Sequence, residues 1–95
     1  MPTSEEVYER LRLLGSTAEE VARSLQERGI KGCQRDGCDC PLFHFLKAEF
    51  GEHGLEIIIC PGQVKFGGKW IDMPEGAELF RLRFDHSNDF PELRR

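Results

Sequence analysis

No stretch of this chain approaches the roughly 18 consecutive apolar residues that a membrane-spanning helix needs, so a helical span is excluded. Positive charge is also in deficit, with 13 Lys and Arg against 17 Asp and Glu and a formal net charge of −4. Phosphate contacts supply much of the affinity for nucleic acid, so the balance favours another protein as partner and argues against nucleic acid. The single glycine pair, Gly67-Gly68, is not followed by Lys-Ser/Thr, which excludes a phosphate-binding loop. The opening residues MPTSEEVYER are acidic and lack the basic and apolar regions of a signal peptide, so the expected location is cytoplasmic. With 95 residues there is enough chain for one core and not for two, and a single domain over 1–95 is expected. Trp and Tyr occur once each, which leaves seven phenylalanines to supply aromatic core volume.

What is present divides into helix signals, then strand signals, then an ambiguous end. Thr3 with Glu6 fits a capping box, and Val7, Leu11 and Leu14 recur at helical spacing up to Gly15. Ser16 or Thr17, paired with Glu19 or Glu20, opens a second helix with Val21, Ala22 and Leu25 on its apolar face. Gly29 suits the left-handed residue after that helix, with Ile30 folding back on Leu25. Residues 31–39 are loop. Pro41 suits the first position of a third helix that stops at Gly51, with Leu42, Phe45, Leu46 and Phe50 buried and Phe43 at the margin. Cys40, His44 and Lys47 fall on its opposite side.

Leu55 to Cys60 reads as a strand, Pro61-Gly62 as a type II turn, and QVKF as the returning strand. After the turn at Gly67-Gly68, KWIDM can add a third. In LFRLRFD, Phe80, Leu82 and Phe84 alternate as in a strand, whereas Pro74 and the 77, 80, 84 spacing favour a helix over 75–85. The helix is preferred. The expected fold is α+β: three N-terminal helices, an antiparallel β-hairpin or three-stranded sheet, and a C-terminal helix.

The segments GIKG at 29–32, CPLFHFL at 40–46, MPEG at 73–76, FRLRFD at 80–85 and FPEL at 90–93 resemble a group of small uncharacterised bacterial proteins. These share a Gly-Ile-x-Gly turn, Cys-Pro-Leu opening a helix, and Phe-Asp followed by a Pro-x-Leu ending. The resemblance spans most of the chain. It implies the helix over 75–85 and no particular activity. Only Cys40 belongs to the shared pattern, so Cys33, Cys38 and Cys60 depart from it, which argues against a metal site common to the group.

The stretch GCQRDGCDCPLFHF is where residue types suggest chemistry. Cys33, Cys38, Cys40, His44 and Cys60 are the candidate zinc ligands, although Cys-x4-Cys-x-Cys is unlike the familiar pair of Cys-x-x-Cys knuckles. Cys40, at the cap of the third helix with His44 one turn on, has the minimal kit of a thiol nucleophile or redox sensor. The third reading makes the cysteines small apolar and loop residues, and it is preferred. His53 reads as a turn residue. His86 with Asp85 and Asp89 offers a weak oxygen-rich ion site or a solvated turn. Trp70 either packs over the hairpin or stacks on a partner.

These residues lead to a small intracellular, non-enzymatic binding or regulatory protein with no cofactor. Cys40, His44, Lys47 and Trp70 form the candidate partner-binding set. The alternatives are a zinc-stabilised or winged-helix-like nucleic-acid-binding module and a redox sensor using Cys40. In the winged-helix plan the reading helix PLFHFLKAEF offers only His44 and Lys47, without Arg, Asn or Gln.

Overall fold

Local capping chemistry sets the first two helices. In the computed structural model, which describes residues 3–36, 38–51, 56–87 and 89–94, Thr3 accepts a hydrogen bond from the Glu6 N–H at 3.1 Å. It opens α1 (Ser4–Arg12). Thr17 does the same for Glu20 at 3.1 Å and opens α2 (Ala18–Glu27), while the Glu20 carboxylate reaches back to the Ser16 N–H at 2.8 Å. Of the paired alternatives in the sequence, the structure takes Thr17 and Glu20. Each such cap is worth about 1 kcal/mol. At the end of α2 the Ile30 N–H donates to Leu25 C=O at 3.1 Å and the Gly29 N–H to Gln26 C=O at 3.0 Å, the Schellman pattern. The expectations for His53 and for Leu55 as a strand residue lie outside the described residues.

Next come α3 (Pro41–Phe50), β1 (Ile57–Cys60), β2 (Gln63–Phe66), β3 (Lys69–Asp72), α4 (Glu75–His86) and a 3₁₀ turn at Pro91–Leu93. The fold is α+β, with four α-helices and a three-stranded antiparallel sheet of order β1-β2-β3 among the described residues. The third strand is therefore formed. No helix among them is long and apolar enough to cross a membrane.

The 75–85 ambiguity resolves on burial. A strand would have turned Phe80, Leu82 and Phe84 to one side. Instead Ala77, Phe80 and Phe84 are fully buried and Leu82 is 41% exposed, as one helical face requires. These join Val7, Leu11, Val21, Leu25, Leu42 and Leu46 in one apolar cluster between the helices and the sheet.

The GIKG segment marks a crossing of chains. A Cβ on Gly32 would lie 2.3 Å from Asp39 O and 2.7 Å from Pro41 N, so no side chain fits there. The Gly32 N–H donates to Leu93 C=O at 2.8 Å, which ties the C-terminal segment to the loop. Leu93 is itself buried. The Gly-Ile-x-Gly and Pro-x-Leu motifs thus meet in space.

Candidate functional site

Cys40 precedes Pro41 and is the N-cap of α3, as its sequence position suggests. It is not on the surface, however: it is 2% exposed. Burial pushes its thiol up to about 12, against the opposing pull of the Leu42 and Phe43 backbone N–H groups. Such a thiol is neutral at physiological pH. His44 does not pair with it; its Nε2 stands 2.5 Å from Asp39 Oδ1. Lys47 is exposed, with Nζ 5.9 Å above the Phe43 ring.

The remaining cysteines do not converge either. Cys33 is half-buried with its N–H on Asp39 C=O at 2.7 Å, Cys38 is exposed, and Cys60 ends β1. Among the described residues no group of three or more His, Cys, Asp or Glu side chains stands close enough to hold a metal ion.

What organises the cysteine-rich loop is a set of hydrogen bonds to α4. Gln34 Nε2 donates to Phe84 C=O at 2.8 Å and to Ser87 C=O at 3.0 Å. The Arg35 N–H donates to Asp85 Oδ1 at 3.0 Å, and its Nε to Asp85 C=O at 3.0 Å. These bonds hold Arg35 in the left-handed region, at φ 57, which a non-glycine residue rarely adopts. Behind them lies Arg81, 5% exposed. It grips Glu78 with two bonds of 2.8 Å and reaches Asp85 Oδ2 at 3.2 Å. Burial raises the Glu78 carboxyl, but the Arg81 guanidinium and a Gly62 backbone bond outweigh it and hold it below its usual range.

A cavity of about 340 Å³ opens beside this network, lined by Cys40, Arg35, Arg81, Asp85 and His86 among others. Its buried charges already answer one another. The carboxylates proposed for an ion site at His86 are engaged in the same way: Asp85 as above, and Asp89 by Arg83 Nε at 2.8 Å.

Trp70 has a different setting. It stands on β3, at the sheet edge opposite β1, whereas α3 packs against β1. It is 56% exposed, the largest apolar side chain so open. Between β3 and α1 runs a groove of about 680 Å³. Tyr8, 39% exposed, faces it from the helix, and Trp70 from the strand. Glu5, Glu9 and Asp72 supply carboxylates to its wall, and the buried Ile71 and Met73 add apolar lining. Lys65 Nζ lies 5.9 Å over the Trp70 ring.

Sequence reasoning singled out Trp70 but grouped it with Cys40, His44 and Lys47 across the sheet. It missed Tyr8, Glu5, Glu9 and Asp72. The available signal was that the chain's one Tyr and one Trp both fall off the apolar stripes of their elements. Comparison with family models, with curated proteins and with solved structures finds no match to this chain.

Proposed function

We propose that this chain is a small, cytoplasmic, non-enzymatic binding protein that docks another protein in the groove between α1 and β3. The observation that carries this reading is the pair of exposed aromatic side chains, Tyr8 and Trp70, facing one open groove from two elements. Tyr and Trp are the residues most often found at the energetic centre of protein interfaces, because each offers large rigid area with a polar handle. The carboxylates around them give orientation. The cavity at Cys40 supports it indirectly, since its buried Arg81 and Asp85 are paired with each other and its thiol is held neutral.

The test is affinity purification from cell extract with the native chain, followed by reconstitution with the captured protein. Trp70→Ala is expected to weaken the reconstituted complex by about 30-fold or more, as loss of an interface hot spot does. Leu82→Ala, at the exposed side of α4, is expected to bind as the native chain does. Equal binding by the Trp70 and Leu82 variants would remove the groove from consideration.

A further inference from the structure

We infer that the partner enters this groove as an extended strand hydrogen-bonded along the free edge of β3, and that the entering segment carries lysine or arginine side chains. The inference rests on the docking reading above and specifies its mode.

The ladder dictates where β3 has unused backbone groups. Phe66 and Lys69 pair across the two-residue turn Gly67-Gly68, whose φ values of 57 and 83 fit a primed hairpin turn. Two steps beyond the Val64–Ile71 pair, the Met73 N–H donates to Gly62 C=O at 3.1 Å. Hydrogen-bonded positions alternate in an antiparallel pair. Lys69, Ile71 and Met73 therefore turn their backbone groups toward β2, and Trp70 and Asp72 turn theirs away from it. With β2 as the only sheet neighbour of β3 among the described residues, two N–H and two C=O groups face the groove at the spacing of an extended peptide, about 7 Å. Among the described residues no backbone–backbone bond from another element reaches Trp70 or Asp72.

Natural sheets blunt such edges with short strands, charged side chains, proline, bulges or a covering element. β3 is four residues long and carries Lys69 and Asp72, so it is guarded by length and charge alone. Here the Lys69–Asp72 edge carries no proline, its register is continuous, and α1 flanks the groove rather than filling it. A strand laid between an edge strand and a helix is a recurrent way for proteins to read peptides.

Charge selects the occupant. Glu5 has no side-chain hydrogen bond or ion pair among the described residues, and Asp72 receives one long bond of 3.4 Å from Gln63. Glu9 is engaged by Arg12. The groove is thus acidic overall, on a chain of net charge −4. A second copy of this chain would instead bring Glu5 and Asp72 against their own equivalents.

Trp70 is the only tryptophan, so its fluorescence reports the groove directly. The probe is an acetylated, amidated hexapeptide alternating lysine and valine, titrated into the full chain. It is expected to change Trp70 emission saturably and to slow amide hydrogen exchange at Trp70 and Asp72 by about tenfold or more. N-methylating the peptide backbone along one edge removes those bonds and is expected to weaken binding about tenfold, while a glutamate–valine peptide does not bind. An emission change without amide protection, and indifferent to N-methylation, overturns strand addition yet leaves docking in the groove standing. Equal binding of the acidic peptide overturns the charge assignment. Absence of any response to the basic peptide overturns the inference, whereas the docking reading is judged separately by the Trp70→Ala complex. Protection of Trp70 and Asp72 that grows with protein concentration, without peptide, makes a second copy the occupant and also overturns it.

Discussion

At Cys40 two effects of opposite sign meet. A helix N-terminus stabilises a thiolate, and removal from water destabilises it. Desolvation dominates at a site 2% exposed, which is why the thiol is pushed up to about 12. Iodoacetamide at neutral pH should therefore modify the exposed Cys38 readily and Cys40 at least about 100-fold more slowly, until the chain is unfolded. Peptide mass mapping over time distinguishes the two. Labelling of Cys40 at the rate of Cys38 would return the thiol-sensor reading to contention. The spacing of Cys40, Pro41 and His44 suggested the cap correctly but said nothing of its burial. Near it, Gln34 and Arg35 bond to residues some 50 positions away on α4. Hydrogen bonds of that span leave no local periodicity to read.

Among the elements, α4 carries the most consequential polar pattern. Its sequence alternates like a strand, yet the same residues place Phe80 and Phe84 in the core and Arg81 and Asp85 beneath the loop. Propensity left both forms open. Burial of the 77, 80, 84 face against α2 decided for the helix. The Glu78–Arg81 pair on this helix links stability to pH. The Glu78 carboxyl is lowered in the folded chain relative to an ordinary glutamate near 4.5. Its contribution is therefore complete above that value and is lost as pH falls through the lower folded value. Urea midpoints measured from pH 7 down to pH 3 should fall through this range. Glu78→Gln should start lower at pH 7 and show a shallower acid slope. A slope identical to that of the native chain would mean that Glu78 contributes nothing to acid sensitivity. The exposed carboxylates Glu9, lowered by Arg12, Glu20, lowered by its bonds from Ser16, and Glu19 and Asp89, lowered by Arg83, add to the slope in both proteins.

Across the whole molecule, the architecture was legible because each local signal agreed with the others: caps at Thr3 and Thr17, apolar stripes at helical spacing, and glycine turns between short strands. The groove was not, because Tyr8 and Trp70 lie far apart in the sequence and are brought together only when α1 packs beside β3. The same holds for the cysteine-rich loop, whose spacing left a metal site, a reactive thiol and a plain loop open and which is tied down by backbone, glutamine and arginine contacts to α4 and the C-terminal turn. The prediction at this scale is that stability rests on the apolar cluster and these bonds, with no share from sulfur or metal. The direct measurement is thermal unfolding by circular dichroism, with and without EDTA and a reductant, on protein purified without chelator. The fold predicts midpoints that agree to within about 2 °C. A fall of about 10 °C or more with either reagent would contradict it, because a chain folded by a structural ion or a disulfide melts when that link is removed.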